Sequence, residues 1–113
     1  MNTLAVYILF AGLWSIINGL LHDIFILRER RPFDRELIRL LIDGHILIFA
    51  GIFYLISFYG ILNQEMFAYF ISIAASVFLL GYCSLIFKML PSVFTMLINA
   101  IALVWLLVTV TSR

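Results

Sequence analysis

The chain has 113 residues, of which 65% are hydrophobic and only 12% are charged. A water-soluble domain carries about a quarter charged residues, so a soluble fold is excluded and the surface must face lipid. The net charge of +1 gives no general basic field for nucleic acid, and a lone cysteine, Cys83, rules out an intrachain disulfide and paired-thiol redox chemistry.

The first apolar run begins at Leu4 and is interrupted only by Ser15, Asn18, His22 and Asp23 before Arg28 ends it. Met1-Asn2-Thr3 lacks the basic start of a signal peptide, and the run exceeds the usual apolar length of one. It reads as a retained helix over 3–27. The hydrophilic stretch Arg28-Glu29-Arg30-Arg31-Pro32-Phe33-Asp34-Arg35-Glu36 follows. Pro32 breaks helix there, and Asp34 is placed to cap the next one, with Glu36 in its first turn.

A second helix is predicted over 36–61 and a third over 65–88, with Asn63-Gln64-Glu65 as the polar turn between them. Lys88 and Pro91 mark the next turn, Ser92 is a candidate cap, and a fourth helix is predicted over 92–111. Each run reaches the roughly 20 residues that span hydrocarbon, and helices satisfy their own backbone there. The predicted fold is therefore all-α: one integral membrane four-helix bundle over 1–113, built of two transmembrane hairpins.

Arginine placement sets the expected orientation. Arg28, Arg30, Arg31, Arg35 and Arg39 fall in one stretch, and Lys88 lies in the third connection. Basic loops stay on the cytoplasmic side. Loops 28–35 and 88–92 are thus expected inside a cell membrane, with both termini outside. Tyr7, Tyr54, Tyr59 and Tyr69 would then lie near the outer ends, as an interfacial belt.

On a helical wheel at ~100° per residue, Gly12, Ser15, Asn18, Gly19 and His22 form one stripe of the first helix, with Asp23 at its edge. Small and polar residues of this kind make a helix-packing face. The same stripe can instead line a path to His22 and Asp23. The second helix carries Arg39, Asp43, Gly44 and His45 at a similar distance from Pro32. Two histidines and two aspartates are therefore expected at one level. Ionisable groups inside a membrane are costly and mark sites.

Asp43 and His45, two residues apart, must point in nearly opposite directions. Asp43 shares a face with Arg39, Ala50, Tyr54 and Ser57, and an ion pair with Arg39 is expected at that spacing. Asp23 is within reach of Arg28 or Arg39. Three uses of the cluster compete. It can fix the hairpin by pairing charges. It can bind a ligand or carry protons through His22, Asp23, Asp43, His45, Asn18 and Arg39. It can hold a haem between His22 and His45, each near a glycine, or a divalent cation on His22, Asp23 and Asp43. The haem and metal readings are the least favoured, since neither has a spaced ligand motif.

The third helix repeats small residues at Ala68, Ser72 and Ser76, and the fourth aligns Thr95, Asn99, Ala102 and Thr109. Asn99 is expected to bond between helices, and Trp105 to face lipid or a partner. No phosphate loop, hydrolase spacing or HExxH is present.

The sequence thus reads as a small, non-enzymatic, multi-pass membrane protein. Its polar end would bind a partner, a lipid headgroup or a small ligand, with Arg28, Arg30, Arg31 and Arg35 as headgroup contacts. A homo-oligomeric transporter or channel is the alternative, and a haem- or metal-binding subunit the third. Association as a homo-oligomer or with a partner membrane subunit is expected.

Overall fold

The computed structural model describes residues 3–30, 32–85 and 93–112. Four helices occupy them: α1 (Thr3–Arg28), α2 (Arg35–Leu62), α3 (Met66–Leu85) and α4 (Val93–Thr111). All four are long and apolar enough to cross a membrane, and the chain is an all-α bundle. The basic turn expected at Lys88 and Pro91, the Ser92 cap and the last residues predicted for the third helix lie outside the described residues, as does Arg31.

The helix ends follow from local chemistry. Asp34 starts α2 by accepting a hydrogen bond from the Leu37 backbone N–H at 2.9 Å. This satisfies one of the amides that every helix start leaves open. At the other end, Glu65 N–H reaches Gly60 O at 2.9 Å and Gln64 N–H reaches Ile61 O at 3.0 Å. Those paired bonds form a Schellman stop, and Gln64 takes the left-handed conformation it requires, with φ 56°. The turn Asn63-Gln64-Glu65 therefore folds α3 straight back along α2.

The bundle is a rod, 51 Å long and 23 by 19 Å across. In ring order α1 lies on α2, α2 on α3, α3 on α4, and α4 closes on α1. Phe10, Leu13, Ile17, Phe53, Phe70 and Leu107 all point outward. A soluble protein would hide such residues, whereas here lipid is the expected neighbour.

The α1–α2 seam is the tightest contact. Two glycine pairs, Gly12 with Gly51 and Gly19 with Gly44, fit a single antiparallel register. A Cβ on Gly51 would lie 2.6 Å from the Gly12 carbonyl oxygen, and one on Gly44 would lie 2.8 Å from that of Gly19. Backbone therefore touches backbone, and only glycine fits. Between lipid-soluble helices this close packing replaces the hydrophobic drive that water would supply. On α3, the buried Ala68, Ser72, Ala75 and Ser76 play the same part toward α2, where a Cβ on Gly60 would meet that of Ala68 at 2.5 Å.

Candidate functional site

A neutral hydrogen-bond network runs through the middle of the bundle. The Tyr54 hydroxyl of α2 donates to Asn99 Oδ1 of α4 at 2.5 Å and lies 2.5 Å from Ser76 Oγ of α3. Its single proton goes to Asn99, so Ser76 donates to it. Asn99 Nδ2 donates to the Thr95 carbonyl at 2.8 Å. Thr95 Oγ1 in turn accepts from Trp14 Nε1 at 3.1 Å and from Asn18 Nδ2 at 2.7 Å, both on α1. Four helices are joined without one formal charge.

This network corrects two expectations. Tyr54 and Tyr69 do not belong to an interfacial belt, since they are 0% and 2% exposed. Tyr54 can be buried because its hydroxyl is fully partnered. Tyr7, half-buried, donates to the Ile98 carbonyl at 2.7 Å, and Tyr59 alone of the four is exposed. Trp105 packs its ring against Tyr7, 5.5 Å between centroids, so it belongs to the α1–α4 contact rather than to the lipid face. Asn99 makes the interhelical bond expected of it.

The ionisable residues gather at the opposite, Pro32 end of α1 and α2, and they divide into three separate contacts. His22 Nε2 donates to the Leu40 carbonyl at 2.9 Å. A carbonyl only accepts, so that nitrogen carries the proton. Asp23 is buried where α1 meets α2, at the edge of the α1 packing face, where the helical wheel places it. Its Oδ2 lies 3.0 Å from His45 Nδ1. That same nitrogen is 2.7 Å from the Leu41 carbonyl. Both neighbours accept, so the Nδ1 proton is shared between them. A helical side chain leans toward its own N-terminus, which carries the Asp23 carboxylate back over Gly44. There it fills the space a side chain would take.

Asp23 Oδ1 is buried and has no hydrogen-bond partner. The His45 side chain is 61% exposed on the outer side of the hairpin. Asp43 points the other way, into the bundle, where it accepts a hydrogen bond from the Tyr82 hydroxyl of α3. The opposed directions of Asp43 and His45 are those the helical period requires. Asp23 meets His45, a partner that the sequence reading did not assign to it. Asn18, placed with this cluster from sequence, belongs instead to the neutral network.

The glycines beside the histidines open no room for a macrocycle. The Gly19 and Gly44 gap is taken up by the facing helix and by the Asp23 carboxylate. Among the described residues no three His, Cys, Asp or Glu side chains converge as a metal site.

Beyond the cluster, Arg28, Arg30, Arg35 and Arg39 are all exposed. Phe33 stands among them at the hairpin tip, 82% exposed. Arg30 takes a left-handed conformation, φ 51°, as α1 unwinds into the loop. Near its start α4 meets α1 at Asn18, whose amide donates to Thr95.

Sequence reasoning missed Tyr82, Gly51, Trp14 and the acceptor role of Thr95. Gly51 was findable: it follows Gly44 by seven residues, as Gly19 follows Gly12. Tyr82 carried no such signal.

No protein-family model matches this chain, and no curated protein or solved structure matches it either.

Proposed function

We propose that this is a small, non-enzymatic, multi-pass protein of the cell membrane whose α1–α2 hairpin end binds anionic lipid headgroups at the inner leaflet. The observation that carries this reading is the group of exposed arginines at one end of the rod, Arg28, Arg30, Arg35 and Arg39. From residue 28 to 39 the sequence holds five arginines against Glu29, Asp34 and Glu36. The two aspartates deeper in the hairpin are turned away, Asp23 to His45 and Asp43 to Tyr82. Each basic residue near an anionic membrane surface contributes about 1 kcal/mol. Phe33 suits the headgroup boundary, where an aromatic ring can anchor.

The basic loop supports an orientation with this end on the cytoplasmic side and both termini outside. A cysteine introduced at Asn63 in a Cys83→Ser background should react with an impermeant maleimide on intact cells. Labelling only after lysis would reverse the orientation. The headgroup reading is tested by lipid analysis of protein extracted in mild detergent. Anionic phospholipid should be enriched over the bulk membrane, and Arg28→Gln/Arg30→Gln/Arg35→Gln should remove the enrichment. Co-purified lipid of bulk composition would sink it.

One observation favours a second reading, a homo-oligomeric transporter. Asp23 Oδ1 is buried and unpartnered while its partner His45 opens to the outside of the hairpin. Such a pair suits proton exchange. Proton flux into vesicles that Asp23→Asn abolishes, with the protein still folded, would favour that reading; no flux in the wild type would end it.

A further inference from the structure

We infer that the groove between α2 and α3 holds an acyl chain of an anionic phospholipid whose phosphate is bound by Arg35 and Arg39. The inference rests on the headgroup reading above and gives it a place and a lipid. The groove has a volume of about 500 Å³. Its walls are Ile46, Phe49 and Phe53 of α2 and Ile71 and Phe78 of α3, over a floor that includes Ala74. Every residue lining it is apolar.

The groove continues into the basic end on one helix face. At ~100° per residue, Arg35, Arg39, Ile42, Ile46, Phe49 and Phe53 fall within about 80° of one another. Ile42, Phe49 and Phe53 are exposed along it, Phe49 to 62%. Arg39 lies about 10 Å along the helix from Ile46. Its side chain leans toward the helix N-terminus, away from the hydrocarbon. That puts the guanidinium groups at headgroup depth and the groove at acyl depth. Asp43, at the edge of the face, is buried and accepts a hydrogen bond from Tyr82. Tyr82 also stacks on Phe78, 6.4 Å between centroids, so the inner wall of the groove is fixed by the same ring.

A second copy of this chain fits the face less well. A two-fold axis along the membrane normal brings identical faces together at equal depth. Arg35 and Arg39 of both copies would then meet, like charge against like. An anionic lipid brings the opposite charge to the same place.

The test is native mass spectrometry of the protein in mild detergent, titrated with dioleoyl phosphatidylglycerol or dioleoyl phosphatidylcholine. The glycerol lipid should bind at least tenfold more tightly. Arg35→Gln/Arg39→Gln should bring the two lipids to within about threefold. Ala74→Phe fills the open floor from an exposed position, and should weaken the glycerol lipid at least tenfold. Phe49→Ser, which removes an exposed wall, gives the same loss should Ala74→Phe fail to fold. Full binding in both groove variants, with the anionic preference intact, overturns the groove and leaves the headgroup reading standing. Equal binding of the two lipids by the wild type overturns both.

Discussion

The middle of the bundle and the Pro32 end of α1 and α2 solve the same problem in different ways. Around Tyr54, polar groups are neutral, and each named donor finds an acceptor on the same or another helix. At the hairpin end, the groups carry or can carry charge, and they sit close to the exposed arginines. The difference follows the cost of each. A neutral hydroxyl or amide needs only one or two partners to lie within hydrocarbon. A carboxylate there needs a counter-charge or water nearby. The molecule therefore uses neutral bonds to join four helices, and of the four only α1 and α2 carry charged side chains.

The comparison can be broken at its foundation first. Gly19→Leu drives a side chain into the α2 backbone, which cannot give way. It should cost about 3 kcal/mol or more, read as detergent unfolding, and should disturb both regions because both hang on the α1–α2 register. Gly81→Leu is the matched control. A Cβ there meets nothing within 4 Å, so that change should be neutral or stabilise by up to about 1 kcal/mol through helix propensity. Equal losses at the two sites would remove the glycine pairs from the account.

The next effect contrasts the two kinds of bond. Tyr82→Phe leaves the Asp43 carboxylate buried without its hydroxyl donor and should cost about 2 kcal/mol, as for a bond to a charged group. Tyr54→Phe removes a neutral donor and should cost about 1 kcal/mol. Coupling between neutral side chains in membrane proteins averages about 0.6 kcal/mol. A double-mutant cycle of Tyr54→Phe with Asn99→Ala should return a value of that size. If Tyr54→Phe proves the costlier of the two tyrosine changes, the charged end is the less demanding region and the contrast is inverted.

The smallest effect lies at the far turn. Gln64 holds a left-handed backbone, φ 56°. Gln64→Gly should stabilise the protein by up to about 1 kcal/mol, because glycine adopts that conformation without steric cost. Thermal unfolding in detergent would register it, and a fall in stability would show that the Gln64 side chain matters more than its backbone.

Much of the architecture was legible because membrane helices announce themselves by length. Thr3–Arg28 against an expected 3–27, and Arg35–Leu62 against 36–61, differ by one residue at an end. Asp34 was readable as a cap because an acidic residue after a proline, just before an apolar run, has few other uses. The cluster was legible in depth but not in pairing. Distance from Pro32 gave His22, Asp23, Asp43 and His45 a common level. Which atom meets which depends on helix rotation and on the direction side chains lean. Tyr54 was misplaced because an aromatic hydroxyl suits the interface and a hydrogen-bonded core equally well. Only the positions of Ser76 and Asn99 on other helices decide between them.

The glycine register also bears on how the protein enters the membrane. α1 on its own offers His22 and Asp23 no partner from a second helix, and an aspartate in an inserting helix is costly, about 2.5–3.5 kcal/mol at the centre and less toward the end where Asp23 lies. α2 supplies the Leu40 carbonyl and His45 at the positions that the Gly12–Gly51 and Gly19–Gly44 contacts select. The unit that partitions into the bilayer is then the pair of helices rather than the first helix alone. Insertion of α1 by itself from a translocon should be inefficient, and appending α2 should rescue it; efficient insertion of α1 alone would show that its charges find water or headgroups without help.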